Sequence, residues 1–171
     1  MSQEWRLLDL YVDVNENSVF LNPAIQRART EGKVPDTVTF CSLKKIGISL
    51  GFYPDPEKDI NLDYCKAHDI SVTRRLQPYY VNVGYPGFFA AYIIVGKNFM
   101  PPTVAEIFKM IISPMAEEFN RRWGIKAQYR PFNDMEVGGR KISWMGGSFF
   151  GDVWSGASVL LYRPSPIDKI N

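Results

Sequence analysis

Residues 88–95, Phe-Phe-Ala-Ala-Tyr-Ile-Ile-Val, are an almost unbroken apolar run, and this stretch limits the architecture more tightly than any other. The run is far too short to cross a bilayer and lacks the polar alternation of a half-solvated strand. It reads as a central strand covered on both faces, so the chain must place packed layers on either side of a sheet. Pro101-Pro102 separates it from a helix that opens with the capping box Thr103-Val104-Ala105-Glu106. In that helix Ile107, Met110 or Ile111, Met115 and Phe119 make an apolar stripe ending at Gly124, and Pro114 is expected to kink or divide it.

The remaining chain alternates in the same way. Trp5–Val12 is an expected opening strand, ended by the polar residues 13–17. A helix should follow, capped by Asn22 with Pro23 at its first position, with Ala24, Ile25 and Ala28 on one face and Gly32 as its stop. Asp36–Leu43 and residues 46–52 are strand-like runs joined by Lys44-Lys45, expected to form a hairpin near a sheet edge. Asn61 caps a short helix through His68, with Leu62 and Cys65 inward and Tyr64 a further inward candidate, and His68 is a surface group or C-terminal charge partner beside Asp69. Residues 70–76 and 125–129 are further strands. No internal repeat or interdomain linker interrupts this order, so residues 1–171 are expected to form a single domain.

The charges nearly cancel, at +2, which removes the broad field that a nucleic-acid or membrane-surface binder uses. Neither nucleic acid nor membrane is therefore expected as a partner. Cys41 and Cys65 have no metal-ligand spacing and sit in apolar-periodic segments, as buried free thiols do. With no signal-peptide pattern at the N-terminus, a cytoplasmic location is expected.

The stretch most charged with chemistry is Asn133-Asp134-Met135-Glu136-Val137-Gly138-Gly139-Arg140-Lys141-Ile142-Ser143. Gly138-Gly139 can supply the positive φ of a short hairpin, after which Lys141-Ile142-Ser143-Trp144 resumes an extended pattern. If Ile142 faces the core, Lys141 faces the other way. There it is either a solvated strand residue or an anion holder, an ammonium on a rigid strand gripping a carboxylate or phosphate.

The run Asn133-Asp134-Met135-Glu136 followed by Gly139-Arg140-Lys141-Ile142-Ser143 resembles the active-site lysine motif of lipoate-protein ligases and the related biotin ligases and octanoyltransferases. Upstream, Leu62-Asp63-Tyr64-Cys65-Lys66 and Ile70-Ser71-Val72-Thr73-Arg74-Arg75-Leu76 resemble the segment leading into the family's double-arginine, glycine-rich loop. The resemblance spans residues 6–161. It implies an α+β domain, a mixed sheet with helices packed mainly on one face, as in the biotin/lipoate ligase fold. It also implies Lys141 as the catalytic lysine holding the reacting carboxylate or carbonyl, Arg74 and Arg75 orienting an acyl-adenylate phosphate, and Asn133 and Asp134 contacting ligand. The implied cofactors are ATP with lipoate or octanoate, and the implied partners a lipoyl-domain acceptor protein or a separate accessory chain.

The chain departs from the family where the loop should be glycine-rich. Pro78, Tyr79 and Tyr80 follow the arginines, removing an N–H and adding bulk where an acyl tail or adenylate phosphate would lie. The family's histidine is replaced in Val83-Gly84-Tyr85, and Trp144 beside Lys141 would narrow a ligand tunnel. Set against the family, residues 1–171 are expected to lack the further helices or accessory domain that such ligases normally carry. Two readings follow: a diverged relative with altered or absent acyl transfer that binds a small acid or a partner protein, or an active ATP-using lipoate- or octanoate-protein ligase or transferase.

Overall fold

The computed structural model describes residues 4–12, 15–76 and 80–164, without side chains for residues 11–18. The apolar run forms β6, Phe88–Gly96, which lies inside a seven-stranded sheet between β2, Asp36–Leu43, and β10, Val153–Leu161. Beyond β2 comes β1, Trp5–Val12; beyond β10 come β9, Arg140–Phe150, then β8, Asp134–Val137, and β7, Ala127–Arg130. Only β1 and β2 are parallel, so the sheet is mixed. A second sheet of β3, Gly47–Leu50, β4, Ser71–Arg74, and β5, Val81–Gly84, runs in the order β4-β3-β5.

Adjacent residues of β6 point to opposite faces, and each face has its own cover. Val95, Met135, Met145 and Trp154 pack against Ile107, Phe108 and Ile112 of helix α4, Val104–Trp123. Ile94 and Val153 pack against Ile25 of helix α1, Asn15–Thr30. Ile94, Ile107, Ile112, Met135, Met145 and Trp154 are fully buried, and burial of each such side chain contributes about 1.5–3 kcal/mol. The small sheet lies on the α1 side and, after the single turn α2, Pro56–Asp59, packs with α3, Leu62–Ala67, through Ile48, Leu50 and Cys65. Most helices therefore share the α1 side, while the longest, α4, covers the opposite face.

The expected strands at Trp5–Val12 and Asp36–Leu43, the Asn61 cap and the Thr103 capping box are all present. Some local expectations are corrected. Helix α1 begins at Asn15, with Pro23 inside it; Asn22 is buried and accepts a hydrogen bond from Thr39 Oγ1 at 2.8 Å, so it joins helix to sheet instead of capping, and Ala24 is exposed. Lys44-Lys45 is no hairpin turn: both edges of β2 are taken by β1 and β6, and the chain crosses into the small sheet, where Lys45 pairs with Asp69 at 2.7 Å. In α4, Pro114 does not divide the helix, and the expected stripe is present through Ile107, Ile111, Met115 and Phe119, which pack on the core beside the more deeply buried Phe108, Ile112 and Ala116, whereas Met110 is exposed. Leu62 is exposed as well, leaving Cys65 as the inward residue of α3.

Candidate functional site

A cleft of about 590 Å³ opens between the large sheet and the small one. Its floor is the α1-side face of β6, β9 and β10, including Phe88, Tyr92, Trp144 and Val159; Arg75, Tyr80 and Asn82 form the facing wall. Lys141 lies at its edge.

What turns Lys141 into this cleft is a change of register. Gly138 and Gly139 have φ of 56° and 77°, the left-handed turn that joins β8 to β9. On β9 Trp144 pairs with Asp134 and Ser143 with Met135, but Glu136 pairs with Lys141, so Ile142 is an extra residue. Strict alternation would put Lys141 on the same face as Ser143 and Met145, against α4. The bulge at Ile142 resets the alternation, packs Ile142 beside the α4 core and brings Lys141 to the Trp144 face. Lys141 Nζ then stands 5.4 Å from the Trp144 ring centroid, within cation–π range. The expectation that Ile142 and Lys141 face apart holds, although the bulge that makes it useful was not anticipated.

Asp134 holds this ammonium. Its Oδ1 lies 2.7 Å from Lys141 Nζ in an ion contact without an aligned hydrogen bond, and Arg130 pairs with its other oxygen. Arg130 also reaches Glu136 at 3.2 Å. Burial pushes the Asp134 carboxyl up, but Lys141 and then Arg130 outweigh burial and keep it below its ordinary value. Asp134 is therefore a counterion of the lysine. Asn133 lines the cleft, yet its side chain donates to Met145 O at 2.6 Å, while its own carbonyl accepts from Met145 N at 2.7 Å, locking the hairpin to β9.

The two arginines part company. Arg74 donates to the carbonyls of Gly51, Phe52 and Pro54 at 2.7, 3.2 and 3.0 Å, which fastens the loop after β3. Arg75 lines the cleft and donates to Ser49, through its hydroxyl at 2.8 Å and its carbonyl. Tyr80 is at the mouth, 64% exposed, with its hydroxyl turned to Asp59 at 2.7 Å, so it leaves the interior open. Trp144 is half-buried and packs edge-on against Phe88, their centroids 6.0 Å apart, as part of the floor. Pro78 and Tyr79 lie outside the described residues.

Three further polar residues line the cleft that sequence reasoning did not single out: Tyr92, Ser155 and Asn82. Tyr92 did carry a signal, being the one hydroxyl in the run 88–95. Cys41 and Cys65 are buried free thiols with pKa raised by burial, and His68 stacks on Tyr64 at 3.9 Å, outside the cleft lining. Among the described residues no cluster of three or more His, Cys, Asp or Glu side chains could hold a metal, and no helix is long and apolar enough to cross a membrane.

The model of the family described as the lipoyl protein ligase A/B catalytic domain matches residues 18–166. An octanoyltransferase LipM from Moorella thermoacetica is 35% identical over 75 residues, covering 44% of this chain and 28% of that protein. A second octanoyltransferase LipM, from Geobacillus kaustophilus, is 28% identical over 132 residues, covering 73% of this chain and 45% of that one. The matches thus span less than half the length of these relatives. Among solved structures, Ta0514 from T. acidophilum, described as a putative lipoate protein ligase with bound lipoic acid, has a TM-score of 0.79 at 18% identity, over 98% of this chain and 71% of that one. A lipoate-protein ligase A bound with ATP has a TM-score of 0.80, also at 18% identity, over 98% and 70%. These likenesses establish the fold, the mixed-sheet α+β fold of the lipoate-ligase catalytic domain.

Proposed function

Since the chain belongs to the lipoyl protein ligase A/B catalytic-domain family, we propose that its cleft binds a medium-chain acyl group, lipoyl or octanoyl, and passes it to a lysine of an acceptor protein such as a lipoyl domain. The observation that carries this reading is Lys141, turned by the bulge at Ile142 onto the edge of an open cleft with an apolar floor. In that position the ammonium would hold the acyl carbonyl and stabilise the negative charge that builds on its oxygen when an amine attacks. Trp144 and Phe88 would exclude water from the bond being broken, and Asp134 would keep the ammonium aimed until the ligand arrives.

The side chains also bear on the acyl donor. Arg74 is committed to three backbone carbonyls, so Arg75 is the member of the arginine pair that lines the cleft. That favours transfer from a preformed acyl thioester over activation by ATP. In such a transfer the acceptor amine attacks the thioester carbonyl, the carbon–sulfur bond breaks, and the thiol leaves with the proton the amine gives up. A second reading, a non-catalytic relative that only binds a small acid or a partner chain, is favoured by one contact: Lys141 is already neutralised by Asp134.

The test supplies the purified chain and a lipoyl domain with octanoyl thioester in one reaction, and with ATP and octanoate or lipoate in another. Mass spectrometry then follows the acceptor. Transfer from the thioester that is lost in Lys141→Ala is the expected result. Transfer only with ATP would reverse the choice of donor, and no transfer from either, with acid binding retained, would establish the non-catalytic reading. A cytoplasmic setting, where lipoyl domains and acyl thioesters occur together, fits this function.

A further inference from the structure

The end of the cleft away from Lys141 is polar. On the floor, Trp144 pairs with Val159, and Gly146, two residues along β9, pairs with Ala157, which in turn faces Tyr92 on β6. Ser155 lies a further two residues along β10. At ~3.3 Å per strand residue, the Tyr92 row is about 7 Å and the Ser155 row about 13 Å beyond Trp144, on the side opposite the lysine. Asn82 faces them from the wall.

The side chains of Tyr92, Ser155 and Asn82 make no hydrogen bond to another described residue, and their polar atoms open to the cavity. Tyr92 is half-buried, its ring bordering the cleft, and burial together with Cys41 pushes its phenol well above the ordinary value against the opposing Arg75 guanidinium. Polar groups that open to a cleft are met by water when it is empty, and a ligand end that displaces that water without replacing its hydrogen bonds loses affinity. A saturated alkyl end lying there would leave them unmet.

We propose that the ligand bears a hydrogen-bonding group at its far end, an ω-hydroxylated or ω-amidated medium-chain acyl group, which Tyr92, Ser155 and Asn82 recognise while Lys141 holds its carboxyl. This rests on the acyl-binding reading above and narrows it. Trp144 and Phe88 carry the methylene part of the chain, and the three polar groups select its end.

Calorimetric titration of the full chain with octanoate and with ω-hydroxyoctanoate tests the inference, using wild type, Lys141→Ala, Tyr92→Phe and Ser155→Ala. One added hydrogen bond predicts that the hydroxylated acid binds about tenfold more tightly to wild type, and that this preference disappears in Tyr92→Phe. Because the Tyr92 hydroxyl has no protein partner, Tyr92→Phe should melt at or above the wild-type temperature; a melting point several degrees lower would expose a structural role and overturn the inference. Equal affinity for the two acids, both weakened by Lys141→Ala, or a preference that survives both Tyr92→Phe and Ser155→Ala, would overturn it and leave the acyl-binding reading standing. If neither acid binds, both fall.

Discussion

Gly147→Ala should damage the fold at the strand pair that carries the cleft floor. Gly147 pairs with Gly156 across β9 and β10, and a Cβ at Gly147 would lie 2.4 Å from Trp154 Cζ2, 2.7 Å from Gly156 Cα and 2.8 Å from Ser155 O. Two of these three contacts are backbone atoms, so no rotamer change relieves them. The third belongs to a fully buried indole wedged between Phe108 and Phe149, with ring centroids 6.2 and 5.0 Å away. Overpacking of this kind costs about 1–3 kcal/mol, and the absence of any escape places this case near 3. For a chain of this length that is a fall of about 6–12 °C in melting temperature. Urea and thermal melts of the purified variant measure it. Gly138→Ala is the control: nothing lies within 4 Å of its Cβ, and only the left-handed φ of 56° opposes it, at a cost of about 1 kcal/mol. A Gly147→Ala protein within about 0.5 kcal/mol of wild type, the range of an ordinary surface change, would refute the packing described for Trp154.

Asp134 gives a pH signature. Its pKa is held below the unfolded value by Lys141 and Arg130 against burial, so its stabilisation is complete above the unfolded pKa and is lost as pH falls through the folded one. Melts from neutral pH into acid should show wild type more stable than Asp134→Asn at neutrality and the gap closing in acid; a gap that is constant with pH would contradict the ion pair. Arg74→Gln should cost about 1–2 kcal/mol by freeing the loop after β3, measured by urea melts, and leave octanoate affinity unchanged, whereas Arg75→Gln should weaken a phosphate-bearing donor. Affinity loss in Arg74→Gln equal to that in Arg75→Gln would return Arg74 to the binding site. Thr103→Ala removes the capping box of α4 and should cost about 1 kcal/mol in the same melts.

Features set by a few neighbouring residues were legible in the sequence. Asn61, Thr103 and Gly124 act through hydrogen bonds or dihedrals within one turn, and Gly138-Gly139 through its own φ values. The hairpin carrying Lys141 was legible for the same reason, whereas the bulge at Ile142 that turns Lys141 to the cleft was not. Features that depend on a distant partner were not. Asn22 looks like a cap until Thr39 is placed beneath it, and Lys44-Lys45 looks like a hairpin turn until β1 and β6 occupy both edges of β2. The division of labour between Arg74 and Arg75 depends on where the carbonyls of residues 51–54 fold back, which no spacing reveals. Bulky residues in the sequence, Tyr80 and Trp144, imply a filled pocket, but a side chain's size says nothing of its direction: Tyr80 turns to Asp59 and Trp144 lies against Phe88.

A crystal structure with octanoate bound tests the central claim most directly, because it shows where the ammonium goes when a carboxylate is offered. The account predicts the carboxylate within salt-bridge distance of Lys141 Nζ, the chain lying over Trp144 and Phe88, and Asp134 left to Arg130. Octanoate bound elsewhere, with Lys141 still on Asp134, would contradict it.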